Sequence, residues 1–400
     1  MPALKLWEMD KDHLKAVGAI ALNAIFGNEP RIASQIVEAF GSAESLFALS
    51  ERECREAFGP YGKFTPEIGK RALEAAEAEY ERLSALGIRF VSIFDSENYP
   101  QPLRECPDAP LLLYLRGSAE PAEILRGAPM ISIVGTRDMS SYGKEWCTRT
   151  VKALSEYPVK PVIVSGLAFG VDITAHLAAL GCGLPTIAVI PVGIEDVYPR
   201  RHSVAAEKIA SSARGALITD YPPGTMPLPY NFLRRNRIIA GLSTVTVLIE
   251  SRARGGGMMT SRLAFDYGRS VFALPGRVDD PRSAGCNTLI AEKIAEPLVN
   301  AAAVAEAAGL GTGAGAGRKK RDPLGLMRER LEGSLDAEGL HRAEMVLAAI
   351  RGRRDISVSE ISSALGLGYS DALRTVGLLE SEGIVSMDLL QRCSINANFA

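Results

Sequence analysis

The chain has 400 residues, 47% of them hydrophobic and 23% charged, which is the composition of a globular protein with two to four domains and excludes a disordered or fibrous one. The net charge is only −2, but residues 130–300 hold 19 Lys and Arg against 14 Asp and Glu, so a polyanionic ligand is expected to meet the middle of the chain, unless this excess is an ordinary solvated surface. No apolar run approaches the roughly 20 residues of a membrane span, and the N-terminus lacks a signal-peptide pattern, so we expect a cytoplasmic protein that does not contact a membrane.

Residues 1–86 are predicted to form a helical domain, because their apolar positions recur at intervals of three and four. The last helix is expected over residues 66–86, ending at Gly87, and a strand is expected over residues 88–95. Bundles of this size resemble SAM or helix-hairpin-helix domains, some of which contact nucleic-acid backbones. This one is acidic, which favours protein contacts or scaffolding.

Residues 87–300 are predicted to form the second domain, an α/β unit. From Met130 onward six short apolar strands alternate with glycine-bearing loops and helical patterns. Apolar runs of this length suit parallel strands covered on both faces, and the alternation predicts a doubly wound, mostly parallel sheet. Ligands of such sheets bind at the carboxyl ends of the strands, which makes the glycine-bearing loops the candidate site.

The C-terminal quarter is predicted to hold a linker and a third domain. Residues 301–340 are rich in Gly and Ala and include the basic run 318–321, which suits a solvated tether or a phosphate contact. Residues 341–400 follow the order helix, helix-turn-helix and β-pair of a winged helix. Such domains often bind duplex DNA, but the second helix of the pair, residues 370–383, has one Arg against three acidic residues, which favours a protein contact.

Three glycine loops carry the candidate binding residues. In the first loop an anion site is predicted from backbone amides, a hydroxyl and a guanidinium at a helix start, although a tight turn would have the same sequence. In the second loop an aromatic residue between glycines is a candidate for base stacking or for core packing. The residues concerned are Gly135, Thr136 and Arg137 in the first loop, and Ser165, Gly166, Phe169 and Gly170 in the second.

Two polar residues follow the second loop. Asp172 suits a capping role at the start of a helix. His176 has no Cys or second His near it in the sequence, so a metal role is not expected.

Further along, Arg235, Asn236 and Arg237 belong to a run with three Arg in four residues. The run enters a helix from a proline-rich loop and is predicted to grip a phosphate backbone, with a solvated face as the alternative. Gly256 and Gly257, which come after Glu250, are predicted to form a third anion-binding turn.

Catalysis is not indicated by these motifs. We find no nucleophile paired with a base and no phosphate-binding P-loop, and the six Cys and four His are scattered without metal-ligand spacing. We therefore expect a binding protein with no catalytic residue, no metal and no cofactor.

A family resemblance appears when the motifs are taken in order. The segments 99–117, 135–137, 165–176, 198–202, 232–243 and 268–290 resemble, in sequence and spacing, those of the DNA-processing protein A family, also called DprA or Smf. The resemblance covers residues 88–300, and the flanking domains resemble the accessory domains of the family.

This resemblance implies an extended Rossmann fold that binds and protects single-stranded DNA and loads the RecA recombinase during natural transformation. It implies no catalytic turnover, and a homodimer formed through the Rossmann domain. By motif position, Arg137 would be the principal phosphate ligand, residues 165–170 and 235–237 would extend the groove, and Phe169 would stack on a base.

Two other functions remain open at this stage. A Rossmann-type nucleotide-processing enzyme, similar to phosphoribohydrolases, would use Glu250 as its acid or base. A transcription regulator acting through the C-terminal domain would bind duplex DNA without residues 87–300.

Overall fold

The computed structural model describes residues 11–27, 29–40, 43–47, 49–58, 70–311, 327–328, 330–331, 335–353, 356–388 and 391–395. The chain packs as two compact units, Met1–Gly313 and Ala314–Ala400. The first unit is built on one large sheet covered by helices, and the second combines helices with a small sheet.

Helices come first in the chain, followed by alternating strands and helices. The first unit contains, in order, α1 (Lys11–Phe26), α2 (Pro30–Phe40), α3 (Ala43–Phe47), α4 (Glu51–Phe58), α5 (Lys70–Ala85), β1 (Arg89–Ser92), α6 (Gln101–Arg104), β2 (Leu112–Gly117), α7 (Pro121–Leu125), β3 (Met130–Val134), α8 (Ser141–Ser155), β4 (Val162–Ser165), α9 (Val171–Gly181), β5 (Thr186–Val189), a 3-10 turn (Arg200–His202), α10 (Ser203–Ser211), β6 (Ala216–Thr219), α11 (Pro229–Leu242), β7 (Val245–Leu248), α12 (Gly256–Asp266), β8 (Ser270–Ala273), α13 (Ala284–Ala291), β9 (Glu296–Pro297) and α14 (Ala301–Ala307).

The large sheet has the strand order β1-β2-β6-β5-β4-β3-β7-β8-β9. Strands β3 to β9 pair in parallel, whereas β1 and β2 form an antiparallel edge beside β6. The chain runs outward from β3 through β4, β5 and β6 and then crosses to β7 on the other side of β3. The predicted mostly parallel, doubly wound sheet is therefore confirmed, and its strand order reverses between β3 and β7.

Two apolar layers explain why the parallel strands are mainly hydrophobic on both faces. Val162 and Val164 of β4 pack into the layer that includes α11 and α12, while Ile163 between them packs into the opposite layer with α8 and α9. Because successive strand residues point to opposite faces, both faces are buried and no polar alternation is left in the sequence.

The N-terminal helices pack on the antiparallel edge. Val17 of α1 and Leu83 of α5 share an apolar cluster with Leu112 and Tyr114 of β2. The expected end of the last helix is found, because α5 ends at Ala85 and Gly87 has a left-handed φ of 63°. The predicted start of this helix at residue 66 lies outside the described residues, and a separate 1–86 domain stays a prediction.

Two predicted segments differ from the structure. Strand β2 was not predicted, although its apolar run between Pro110 and Gly117 is typical of a strand. The predicted linker begins too early: α14 starts at residue 301, capped by Asn300, and both its Val304 and Leu310 just beyond it are buried in the apolar layer beside α8 and α9. The many Ala residues of this stretch are typical of a tether, but small side chains also suit close packing of a helix. The basic run 318–321 lies outside the described residues.

The second unit follows the predicted order of elements. It contains α15 (Ala337–Gly352), β10 (Ile356–Ser357), α16 (Val358–Leu365), α17 (Tyr369–Ser381), β11 (Val385–Met387) and β12 (Arg392–Ile395), with an antiparallel sheet of order β10-β12-β11. A reciprocal pair of hydrogen bonds between Ser357 and Glu360 starts α16, and Gly366, with a φ of 64°, ends it.

Across the described ranges, no helix is both long and apolar enough to cross a membrane. The same residues contain no group of three or more His, Cys, Asp or Glu side chains placed to hold a metal ion.

Candidate nucleic-acid interface

The loops at the carboxyl edge meet where the strand order reverses. After β3, the Thr136 amide donates to the carbonyl of Glu250, just beyond β7, over 2.7 Å. A Cβ on Gly135 would lie 2.6 Å from the Val171 side chain and 2.8 Å from that carbonyl, so only glycine fits there. Gly257 lies against Gly135, since a Cβ added to Gly257 would lie 3.0 Å from the Gly135 Cα. Three loop backbones thus approach closely at the position where doubly wound proteins bind ligands.

Arg137 is the exposed side chain of the first glycine loop, residues 135–137. Its guanidinium carbon lies 5.2 Å from the centroid of the Phe232 ring, a cation–π contact. Phe232 makes an edge contact with Tyr198, with ring centroids 5.3 Å apart, and Tyr198 is 40% exposed. A cation and two aromatic rings therefore lie side by side at this edge.

The second glycine loop, residues 166–170, presents another aromatic ring. Phe169 is 42% exposed and contacts the His202 ring edge to face, with centroids 4.7 Å apart. Gly170 has a φ of 75°, and a Cβ there would overlap the carbonyl oxygen of Thr136, so this position requires glycine. Phe169 is therefore a surface residue beside the first glycine loop and not part of the core.

Further exposed arginines surround the two loops. Arg200 and Arg201 lie on the 3-10 turn after Tyr198, and Arg252 and Arg254 follow β7; all four are exposed. Arg252 forms a 3.6 Å ion pair with the exposed Asp138. The segment 198–202 enters the sequence prediction only as a family motif, without a role for its two arginines, although two adjacent cations in a loop at the carboxyl edge are an available signal.

The third glycine turn opens α12. Gly256 is exposed and Gly257 is buried, and within the described residues no side chain caps this helix start. The first amides of α12 and the positive end of its dipole therefore lie at the same edge. Asn236 is 7% exposed and its Nδ2 lies 3.5 Å from the Gly256 carbonyl oxygen, so it supports this turn from within.

Ser165 and Gly166 lie below the edge. Ser165 is fully buried and its hydroxyl donates to the carbonyl of Ile133 over 2.6 Å. A Cβ on Gly166 would overlap the Arg235 guanidinium, which explains why glycine is needed. Both residues shape the second glycine loop from inside. The prediction that they contact a ligand is therefore wrong for their side-chain positions, which do not face the surface that a ligand meets.

The arginine run on α11 points into the molecule, contrary to the predicted phosphate grip. Arg235 is 3% exposed and donates to the Gly166 carbonyl over 2.8 Å and to the last carbonyl of β5. Arg237 is 5% exposed and pairs with Asp220 at 2.5 Å. The physical reason is that α11 is covered from Arg235 through Leu242, so its polar side chains must find partners inside.

Asp172 and His176, which were expected to be structural, lie beneath the same loop. The Asp172 carboxylate accepts from the Ala168 amide over 3.4 Å, and burial raises the pKa of Asp172 although the nearby Arg235 charge opposes the rise. The His176 Nδ1 lies 2.7 Å from the Thr186 hydroxyl. Burial lowers the pKa of His176 to about 3, and the Arg235 charge adds to this effect, so the ring is neutral at physiological pH.

Glu250, the acid or base of the alternative enzyme, is 1% exposed. Its carboxylate accepts from the Ser140 amide over 2.8 Å and from the Ser140 hydroxyl. Ser140 in turn caps α8 by accepting from the Gly143 amide over 3.1 Å. A carboxylate at a helix N-terminus is stabilised there, and in this position Glu250 fastens the first glycine loop to α8.

Together these features define a doubly wound α/β protein whose carboxyl edge exposes arginines and aromatic rings. Residues 90–309, more than half of the chain, match the family described as DNA recombination-mediator protein A. The chain belongs to this family, and the resemblance to DprA and Smf proteins that its motifs suggested is confirmed.

Individual relatives agree with this assignment. The DNA processing protein DprA of Streptococcus pneumoniae is 39% identical over 201 residues, which cover 50% of this chain and 68% of the relative. A putative DprA of Mycobacterium tuberculosis is 32% identical over 327 residues, 79% of each chain. The crystal structure of the pneumococcal DprA superposes with a TM-score of 0.59 at 29% identity, covering 74% of this chain and 97% of that one. Matches to the curated relatives span from about half to about four fifths of their length.

Proposed function

We propose that this protein binds single-stranded DNA along the carboxyl edge of its sheet and does not modify it. The observation that carries the proposal is the exposed Arg137 guanidinium, held on the Phe232 ring at the switch point of the sheet. A cation–π contact uses the charge of the guanidinium and consumes none of its N–H donors, so two parallel hydrogen bonds to a phosphate can still form.

The aromatic side chains favour a single strand over a duplex. Phe169 and Tyr198 are 42% and 40% exposed, and unpaired bases can stack on such rings in a sequence-independent way. A duplex keeps its bases stacked on one another and offers mainly its phosphates. We therefore propose a groove in which Arg137, Arg200 and Arg201 meet phosphates and the rings meet bases.

The residues beneath this groove support it without touching the strand. Arg235, Asp172 and Ser165 hold the second glycine loop, and Asn236 holds the turn at Gly256. Glu250 argues against the alternative enzyme, because its carboxylate is buried and engaged at the start of α8. We propose a role in structure for Glu250 and no turnover for the protein.

Titration of fluorescein-labelled oligo-dT by anisotropy tests the binding proposal. Arg137→Ala is expected to weaken binding by about 10- to 150-fold at moderate salt, the effect of losing a hydrogen-bonded charge, and to make the slope of log K against log salt less negative by about 0.7. Arg52→Ala is the matched control, since Arg52 is 87% exposed on α4. Equal affinity of the wild type and Arg137→Ala, or tighter binding of duplex than of single strand, would contradict the proposal.

Further parts of the function are proposed on the family resemblance. We propose that the protein is cytoplasmic, forms a homodimer through its Rossmann-like unit, and delivers the bound strand to the RecA recombinase, in keeping with a family described as a recombination mediator. Light scattering of the purified chain tests the dimer. An increase in the rate of RecA filament formation on oligo-dT coated with single-strand binding protein tests the delivery, and an unchanged rate would refute it.

For the second unit we propose a winged helix that contacts protein. Its order of helices and strands suits that fold, but α17 carries Asp371, Glu380 and Arg374, with Arg374 already 4.0 Å from Asp371, which disfavours a DNA-reading helix. Deletion of residues 314–400 is expected to leave oligo-dT affinity within about twofold of that of the full chain, whereas duplex affinity confined to this unit would support the transcription-regulator alternative.

A further inference from the structure

The second glycine loop is held from below by side chains that belong to three other elements. Arg235 of α11 donates to the Gly166 carbonyl over 2.8 Å. Asp172 of α9 accepts from the Ala168 amide over 3.4 Å. Both side chains are more than nine-tenths buried, so these contacts are shielded from water and fix the loop backbone on either side of Leu167.

His202 supplies the remaining contact. Its Nδ1 lies 2.8 Å from the Leu167 carbonyl oxygen, and because a carbonyl can only accept, Nδ1 carries a proton and donates it to this contact. Leu167 has a φ of 56°, a left-handed conformation that a leucine adopts only when its surroundings enforce it, and its side chain is fully buried. His202 therefore holds the loop at its most strained residue.

The same imidazole contacts the exposed ring of Phe169. The ring centroids are 4.7 Å apart with an interplanar angle of 67°, and His202 is only 8% exposed whereas Phe169 is 42% exposed. His202 thus lies underneath, with one ring nitrogen on the loop backbone and one ring edge or face on Phe169. Without this support, a phenylalanine next to Gly170 would have several rotamers available.

We infer that His202 is a positioning residue that fixes the Phe169 ring in the orientation in which it stacks on a nucleobase. This inference rests on the proposed function, because it assigns a role within the same groove. The physical reason is that a ring ordered before the strand arrives loses less conformational entropy on binding. His202 belongs to the motif 198–202, for which sequence reasoning offered no role.

A double-mutant cycle tests whether His202 acts through Phe169. Phe169→Ala is expected to weaken oligo-dT binding by about 5- to 150-fold, the loss of one base stack. His202→Ala is expected to weaken it by about 2- to 10-fold, the effect of leaving one side chain to be ordered on binding. The double variant should bind as Phe169→Ala does, because the histidine has nothing left to position.

A spectroscopic readout separates positioning from general loosening of the fold. An oligo-dT with one 2-aminopurine reports stacking through its fluorescence at saturating protein, where affinity no longer matters. His202→Ala should reduce the stacking signal of the bound state toward that of Phe169→Ala. Phe265→Ala is the matched control, since Phe265 is 48% exposed at the far end of α12, and it should change neither signal nor affinity.

A second variant keeps the test valid if His202→Ala folds poorly. His202→Asn retains an N–H donor at the Nδ1 position for the Leu167 carbonyl but removes the ring beneath Phe169, and the same cycle and fluorescence measurement apply. The inference would be overturned by any of three results. The losses of oligo-dT affinity in the two single variants could simply multiply in the double variant, the 2-aminopurine signal could stay unaltered in the histidine variants, or Phe169→Ala could bind like the wild type. No binding of oligo-dT by the wild type would instead refute the proposed function itself.

Discussion

Replacing Arg235 by methionine separates a supporting role from a ligand role for the arginine run on α11. Methionine keeps much of the side-chain length but removes the charge and every donor. The Gly166 carbonyl and the last carbonyl of β5 would lose their donor, and Asp172 would keep a buried charge without its neighbour. Leaving a buried acceptor without its donor costs about 1–3 kcal/mol, and two carbonyl groups are affected, so we expect the free energy of unfolding of the first unit to fall by about 2–6 kcal/mol.

The buried charge of Asp172 adds to this loss. Burial lowers the pKa of Arg235 to about 10 and raises the pKa of Asp172, which means that desolvation outweighs the attraction between the two charges. Arg235→Met removes even that attraction and leaves the Asp172 carboxylate buried. Adding Asp172→Asn to Arg235→Met should accordingly recover part of the lost free energy.

Urea unfolding followed by circular dichroism, together with oligo-dT anisotropy, gives the decisive comparison. Arg137→Met is the matched control because Arg137 is exposed in the adjoining loop. We expect its free energy of unfolding to stay within about 0.5 kcal/mol of the wild type while its affinity for oligo-dT falls. If Arg235→Met proved as stable as the wild type but lost as much affinity as Arg137→Met, the inward placement of Arg235 would be refuted.

Three further predictions follow from the same contacts. Glu250→Gln is expected to lower the free energy of unfolding by about 1–2 kcal/mol, because the charge at the start of α8 is lost, with oligo-dT affinity unchanged; a selective loss of free-base release from nucleoside monophosphates would instead support the enzyme alternative. Gly170→Ala should weaken both stability and oligo-dT binding, since a φ of 75° and the Thr136 carbonyl leave no room for a Cβ, and a variant that melts and binds like the wild type would contradict the loop geometry. The pKa of His176 is about 3 in the folded protein and about 6.5 in the unfolded chain, so the unfolded chain binds the extra proton as the pH falls. The contribution of His176 to the free energy of unfolding is therefore complete above pH 6.5 and falls by about 2 kcal/mol by pH 5. His176→Asn should remove that part of the pH dependence, and identical pH profiles of the two proteins would show that His176 is not buried and neutral.

The parallel strands and the location of the site follow from local sequence patterns. Each strand from β3 to β8 is a mainly apolar run followed by a loop that contains glycine, which is the pattern expected of strands buried on both faces. Since the carboxyl ends of parallel strands lie at one edge, the order of the motifs was enough to place Gly135, Gly170 and Gly257 together. Strand β2 was missed because it is antiparallel to both of its neighbours and is followed only by the five-residue helix α7, which is too short to mark a repeating strand-helix unit.

The spacing of the arginines on α11 does not predict whether their side chains point into the protein or toward solvent. Three Arg in four residues point to different sides of a helix, so the run does not define a face. A usable signal lay downstream, where Ile238, Ile239, Ala240 and Leu242 leave almost no polar side. A helix that continues in this way is buried all round, and its arginines must serve buried oxygens rather than solvent or a ligand.

The arginines near the carboxyl edge of the sheet have the same chemistry but differ in how deeply they are buried, and this depth decides whether they support a loop or meet a ligand. Carbonyl groups at the ends of parallel strands and in the turns after them lack sheet partners, and a guanidinium with its five donors can satisfy two of them at once, as Arg235 does. One layer higher, Arg137 is exposed and its guanidinium contacts the Phe232 ring. Arg235 thus holds the second glycine loop, whose exposed Phe169 ring lies beside the first glycine loop with Arg137. The positive charge offered to a ligand comes from the exposed arginines, because the nearby Asp172 offsets the charge of Arg235.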